Sequence, residues 1–249
     1  MVSIEEFIEQ SNESCSIEEL SSLLGDALAQ FGYDRFCYSL ISDHDSLNLK
    51  AGHGLLRNYP ESWMKHYVSS QYVGRDPVPL HCFKTTRPFT WKYVTQNQKI
   101  SAFQKRIMDE AHEAKLMDGM AVPIHGMNGE LSGVGMASSA GGVELNEVMM
   151  AKIRTLCFQF HMAYTEMLRA EEEPGGGIFL TDREREVLLW AAEGKSDAVI
   201  ADILGISYST VRFHINNSYK KLNSNERIFA VTKAIRLGLI MPSAVSERI

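Results

Sequence analysis

Tyr59-x-x-x-Trp63-x-x-x-Tyr67 spaces three large rings at i, i+4 and i+8, which puts them on one face of one helix. Each ring joins an apolar body to a hydrogen-bonding tip. Asp76-Pro77 follows in a loop, then Trp91 and Gly119. Taken singly, rings at helical spacing read as core, Asp-Pro as a turn, and Gly119 as a close approach of backbones. The chain has no G-x-S-x-G elbow, no H-E-x-x-H pair and no histidine cluster with metal-ligand spacing. The expectation is a protein that is not an enzyme, with no catalytic or metal-binding residues.

A second constellation lies near the C-terminus. In Gly205-Ile206-Ser207-Tyr208-Ser209-Thr210-Val211-Arg212-Phe213-His214 a glycine turn of about three residues leads to a new N-cap, Ser207, so the order is helix, tight turn, helix. The helix over 207–222 carries Arg212, Lys220 and Lys221 and no acid, a composition that tolerates a phosphate-lined groove. Val211, Ile215 and Tyr219 anchor it to its domain, leaving Ser209, Thr210, Phe213, Asn216 and Asn217 for the other sides. In a major groove Arg212 would bond a guanine edge in bidentate fashion and Asn216 an adenine. Lys195, Thr210, Lys220 and Lys221 would hold phosphates, which orient without reading sequence. The alternative is a small helical bundle with a cationic, solvated face.

These groups need elements to position them. Apolar spacing predicts helices over 17–31, 59–72, 102–116 and 145–168. Strands are expected at 35–41, where Phe36, Tyr38 and Leu40 alternate onto one face, and at 119–124 and 131–137. After residue 178, Thr181 with Glu184 three residues on has capping-box spacing and opens a helix ended by Gly194. Ser196 caps the next, whose buried face is expected to be Val199, Ile200, Ile203 and Leu204. Between these regions Pro174 and Gly175, Gly176 and Gly177 read as a flexible linker. The N-terminal region mixes strands with flanking helices, so its class is α+β or α/β/α, and the chain divides into two domains.

The net charge of −6 is unevenly spread: residues 178–249 sum to +2 and the remainder to −8, so the asymmetry follows the proposed division. Cys15, Cys37, Cys82 and Cys157 form no C-x-x-C pair and read as reduced thiols. No run of about 18 apolar residues is present, and acids stand where a signal peptide would be basic, so the expectation is a cytoplasmic protein without a membrane partner.

Residues 181–194, with Val199-Ile200-Ala201, Thr210-Val211-Arg212-Phe213-His214 and Lys221-Leu222-Asn223, resemble the LuxR-type helix-turn-helix, and Glu184, Leu188 and Gly194 fall on that family's signature positions. The resemblance implies a fourth helix, over 226–237, that often serves in dimer contacts. Residues 1–170 lack the acidic pair, phosphorylatable aspartate and five βα units of a receiver. Instead Trp63, Tyr67, Asp76, Pro77, Trp91 and Gly119 resemble, in type and spacing, the autoinducer-binding domain of quorum-sensing LuxR-type receptors.

Together the two resemblances cover nearly the whole chain. They imply an N-terminal α/β/α sandwich around a central antiparallel sheet, residues 1–169, that binds autoinducer and dimerises. A linker over 170–177 would join it to a four-helix DNA-binding domain, residues 178–249. They imply an N-acyl-homoserine lactone ligand with no other cofactor, a homodimer on a palindromic promoter element, and RNA polymerase as a further partner. Carried over by position, Trp63 would donate its indole N–H to the lactone carbonyl, Asp76 would accept from the amide N–H and Tyr59 would donate to the acyl carbonyl. Tyr67 and Trp91 would wall the pocket. Where the family often has Ser or Thr facing the acyl carbonyl, this chain has Gly135 and Ala137, which removes a ligand hydrogen bond and makes room for a bulky, branched or aromatic acyl group. Met127 and Met136 are expected along the acyl pocket. The alternative is a regulator of this type whose N-terminal domain acts without ligand or under a protein partner.

Overall fold

The computed structural model describes residues 3–44, 49–126, 129–171 and 178–242. Among these, residues before 127 together with 130–171 form one compact unit, and those from 178 a second. Met127 and the linker glycines lie outside the described residues.

The first unit is built on an antiparallel sheet of β1 (Arg35–Leu40), β2 (Gly52–Arg57), β3 (Phe89–Thr90), β4 (Met117–His125) and β5 (Leu131–Ser138), in the order β2-β1-β5-β4-β3. Register rows run Phe36↔Met136↔Met120 and Cys37↔Gly135↔Ala121, and because side chains alternate, neighbouring rows face opposite ways. The row of Phe36 joins Tyr38, Leu40, Val122 and Val134 against α1 (Ile4–Glu13), α2 (Ile17–Ala29) and α7 (Glu147–Glu171). Phe7, Leu20, Leu24, Leu28, Ile153 and Phe160 close this core. Each fully buried side chain of this kind contributes about 1.5–3 kcal/mol. The opposite face carries α3 (Glu61–Ser69), α4 (Pro77–Cys82), α5 (Trp91–Asn97) and α6 (Ala102–Glu113), so helices cover both faces and the predicted α/β/α sandwich is formed.

Two sequence expectations change here. The helix predicted over 59–72 is confined to Glu61–Ser69, with Pro60 as its N-cap; the residue before a proline is driven to extended geometry, so Tyr59 precedes the helix instead of sharing its face. Met136 belongs to the closed core on the α7 side and does not line an acyl pocket.

The second unit holds α8 (Asp182–Ala192), α9 (Asp197–Leu204), α10 (Tyr208–Lys221) and α11 (Arg227–Arg236). Gly205 ends α9 with φ 63° and ψ 34°, a left-handed conformation that glycine adopts without strain. Ser207 then caps α10 by accepting the Thr210 N–H at 3.1 Å. Val187, Ile200, Val211 and Ile215 form one buried cluster and Leu188, Leu222, Ala230 and Ala234 another. Val199 and Ile203, expected inside, are 42% and 43% exposed, because α9 buries Ile200 and Ala201 instead.

Glu184 ties this unit together. Its carboxylate is 3% exposed and accepts the Thr181 N–H at 2.8 Å and the Lys221 ammonium, from the last turn of α10, at 2.7 Å. Removing its side chain takes away the half of the capping box that holds the Thr181 N–H, and the ion partner of Lys221 with it. Glu184→Ala is therefore expected to destabilise the second unit by about 2–3 kcal/mol. Glu184→Gln, which keeps the cap but not the charge, should lose roughly half as much. Urea denaturation followed by circular dichroism measures both, and an unchanged Glu184→Ala midpoint would contradict the assignment.

Candidate functional site

Between the sheet and α3–α6 lies a cavity of about 330 Å³. Its floor is the face opposite the closed core: Cys37 and Ser39 from β1, Gly133 and Gly135 from β5, and Ala121 from β4. A Cβ on Gly133 would come within 2.9 Å of Ile41 Cδ1, and one on Gly135 would stand 3.4 Å from the Tyr59 hydroxyl. The bare backbone is what leaves the floor open.

Tyr59, Trp63, Tyr67, Asp76 and Trp91 all line this cavity. Trp63 and Tyr67, one helical turn apart on α3, meet edge to face with centroids 5.8 Å apart. Asp76 is the N-cap of α4, whose first residue is Pro77: Oδ1 accepts the Val78 N–H at 2.8 Å and Oδ2 accepts the Tyr67 hydroxyl at 2.9 Å. Burial raises the Asp76 carboxyl to about 6, its two hydrogen bonds opposing the shift only in part. Burial also holds the Tyr59 and Tyr67 hydroxyls well above the ordinary phenol range, so both remain protonated donors. Trp91 opens α5 and lies flat on Gly119, where any Cβ would overlap its Cδ2 at 2.0 Å. Gly119 is thus the seat of a wall residue.

Behind α3, Tyr72, His66 and Arg106 all bond Glu110, at 2.5, 2.7 and 2.6 Å, and these bonds hold its carboxyl down to about 2. This brace fixes the helix that carries Trp63 and Tyr67. Ala137 does not reach the cavity: it is fully buried against the Trp63, Tyr67 and Leu116 cluster, two residues beyond Gly135 on the same strand face, and backs the wall. Met108 of α6 lines the cavity where Met136 was expected. Sequence reasoning also missed Cys37, Ser39, His53 and Cys82. The available signal was the alternation of β1: if Phe36, Tyr38 and Leu40 face one way, Cys37 and Ser39 face the other.

In the second unit, Ser209, Arg212, Phe213, Asn216 and Lys220 are exposed together on α10, opposite the buried Val211 and Ile215. Phe213 is 60% exposed, as is Tyr208 at 55%, an aromatic at the helix start that the sequence reading left aside. Arg212 Nη1 lies 3.4 Å from Asp197 Oδ2, whose other oxygen takes Arg227 at 2.5 Å. The Ser209 and Thr210 hydroxyls are bonded to Ser207 at 2.8 and 2.7 Å. Lys195 is exposed, and its carbonyl accepts from Arg227. Lys221, expected at a phosphate, is engaged by Glu184.

Comparison with known proteins places both units. Residues 16–164 match the autoinducer binding domain family and residues 179–234 the family of bacterial regulatory proteins, luxR family. The chain is 31% identical over 225 residues to the transcriptional activator protein AnoR of Acinetobacter nosocomialis, covering 90% of this chain and 92% of that one. It is 30% identical over 244 residues to the transcriptional activator protein VanR of Vibrio anguillarum, covering 97% and 99%. Its fold is similar to that of Escherichia coli SdiA, with a TM-score of 0.73 at 23% identity over 96% of this chain and 98% of that one, and to SdiA in complex with octanoyl-rac-glycerol, with a TM-score of 0.72, 23% identity and coverage of 95% and 94%. Among the described residues no helix is long and apolar enough to cross a membrane. A cavity walled by Tyr59, Trp63, Asp76 and Trp91 in one unit and a capped helix-turn-helix in the other are thus the two halves of a transcription regulator, and the chain belongs to the LuxR family, with an N-terminal autoinducer-binding domain and a C-terminal DNA-binding domain.

Proposed function

We propose that the chain is a ligand-gated regulator in which residues 1–169 enclose an N-acyl-homoserine lactone and residues 178–249, joined by a linker over 170–177, bind DNA. The observation that carries this reading is the buried carboxylate of Asp76, set among aromatic walls with hydrogen bonds, among the described residues, only from Val78 and Tyr67. A carboxylate so placed gains from one more donor, and the ligand's amide N–H is such a donor. Trp63 donates to the lactone carbonyl and Tyr59 to the acyl carbonyl, with Tyr67 and Trp91 as walls. SdiA, similar in fold, is known in complex with octanoyl-rac-glycerol, an acyl chain on a small polar head. The bare backbone at Gly133 and Gly135 suits a bulky, branched or aromatic acyl group.

Two copies then meet a palindromic promoter element, each laying α10 in a major groove. Arg212 reads guanine and Asn216 adenine, Phe213 contributes apolar contact, and Ser209, Thr210, Lys220 and Lys195 take the backbone. Ile228 and Phe229 on α11, 81% and 54% exposed, are a surface for the second copy, and RNA polymerase is the downstream partner.

A saturating lactone is expected to stabilise the first unit by about 2.7 kcal/mol at a hundredfold excess over Kd, a rise in Tm of roughly 5–10 °C. A flat response across lactones of varied acyl group would refute the ligand assignment.

Asp76 gives a signed pH test. Its carboxyl ionises near 6 when folded and near 4 when unfolded, so the folded state holds the extra proton between these values and stability falls as pH rises through that window, by at most about 3 kcal/mol. His53 and His161, each lowered to about 4 by burial, act oppositely and lose stability as pH falls below about 6.5. Subtracting the Asp76→Asn curve cancels both histidines. The difference should step down between pH 4 and 6 without lactone and flatten with it; denaturation at a series of pH values measures this, and a featureless difference counts against Asp76 as the amide acceptor.

At the DNA, Arg212→Ala should cost about 1–3 kcal/mol and relax discrimination at one base pair, while Lys220→Ala weakens all sequences alike and lowers the salt slope by about one. Gel shifts at several salt concentrations separate the two, and an unchanged Arg212→Ala affinity removes it as a base reader.

A further inference from the structure

Between Asp76 and Asp109 the chain carries no acid, while Lys84, Arg87, Lys92, Lys99, Lys105 and Arg106 all fall there. In a half of the chain whose net charge is −8, that is a marked local reversal of sign. Among the described residues only Arg106 of these six is held in an ion pair, on Glu110. Lys84 and Arg87, between α4 and β3, and Lys92, on α5, are exposed.

The same surface is apolar. Val73, Leu80 and Phe83 line the cavity and are also exposed, so they stand at its mouth. Tyr93, exposed on α5, brings its ring within 5.9 Å of that of His81 on α4, the neighbour of Leu80. Lys84 reaches the same place, since burial first and then the Lys84 charge lower the His81 pKa. Exposed apolar side chains at the opening of a hollow are thus bordered by cations, and a charged rim around an apolar patch marks an interaction surface.

We propose that the α4–α5 face is a peripheral membrane-binding surface that seats the mouth of the cavity on an anionic phospholipid bilayer. The stems of Lys84, Arg87 and Lys92 follow the apolar boundary while their heads meet lipid phosphates. Tyr93 stands at the level of the headgroups, and Leu80 and Phe83 enter the acyl boundary. A bilayer answers both halves of the patch, whereas an acidic protein answers the cations alone. Adsorption of this kind needs no spanning helix, and it departs from the sequence expectation of a chain without a membrane partner. One consequence rests on the lactone reading: an acyl ligand dissolved in the bilayer reaches the cavity without crossing water.

The test uses the full-length chain without ligand, sedimented with vesicles of phosphatidylcholine alone or mixed with phosphatidylglycerol. Wild-type protein is expected to sediment with the mixed vesicles and to be released by salt. The triple variant Lys84→Gln, Arg87→Gln, Lys92→Gln should bind them roughly a hundredfold more weakly, about fivefold for each charge, with its gel shift unchanged. Tyr93→Ser, which keeps every charge, should also weaken binding, and it stands alone if the triple variant does not fold. Lys195→Ala with Lys220→Ala should leave sedimentation as it was. Wild-type protein that stays in solution overturns the proposal. So does binding lost with Lys195 and Lys220 instead, which places the contact on the second unit, or binding indifferent to Tyr93→Ser, which marks a site for an acidic macromolecule. None of these results touches the lactone reading, and failure of every lactone to bind, with sedimentation intact, strikes that reading and leaves the surface.

Discussion

A pleated strand sends successive side chains to opposite faces, and in this sheet the two faces meet opposite demands. Phe36, Tyr38, Leu40, Val134 and Met136 fill the space beneath α1, α2 and α7 completely. The rows one residue away present Cys37, Ser39, Gly133 and Gly135, too small to meet the helices above them, and a cavity remains. A slip of one residue in β1 or β5 would exchange these sets, driving Tyr38 and Met136 into the cavity and emptying the α7 side. The well-packed face therefore fixes the register that keeps the other face hollow, and stability on one side of the sheet is the condition for recognition on the other.

What surrounds the hollow follows from the cost of burying polar atoms. Asp76 has hydrogen-bonding partners but no cation among them, so burial raises its pKa. Holding the Tyr67 hydroxyl on Asp76 also fixes the Tyr67 ring, and with it the faces that meet His53 and Trp63. On the outer side of α3, Glu110 collects Tyr72, His66 and Arg106 and is pushed the other way. One short helix is thus clasped by two carboxylates, an inner one with two hydrogen bonds and an outer one with three. The outer clasp lets the inner side chains stand in place around an empty volume.

The second unit was the more legible in sequence because its signals are local. Thr181, Ser196 and Ser207 cap where their spacing says, and Gly205 turns the chain where a left-handed residue is needed. In the first unit the alternation of β1 and the apolar runs of β4 and β5 disclosed the sheet. β2 was not visible, because Gly52 and Gly54 interrupt any alternation and its side chains acquire a role only through pairing with β1. Tyr59 was misplaced because helical spacing ignored Pro60. The contact of Ser39 with His53 crosses fourteen residues and a strand pairing, which no spacing rule anticipates. Val199 and Ile203 obeyed helical spacing yet face outward, since which side of a short apolar helix is buried is settled by its neighbours.

The same distinction between local pattern and partner divides the basic residues of the second unit. Lys221 cannot leave Glu184 without stranding a carboxylate that is 3% exposed, so its charge is spent within the domain. Arg227 is held comparably on Asp197 at 2.5 Å. Arg212 shares Asp197 at 3.4 Å from a half-exposed position, beyond the range of a good charged hydrogen bond, and a contact of this kind is worth little. Of the two arginines on Asp197 it is therefore the one less tightly engaged, as its proposed role at a base edge requires. That acid sits on α9, so α10 carries no negative charge of its own, and the partner of its exposed arginine is supplied by the neighbouring helix.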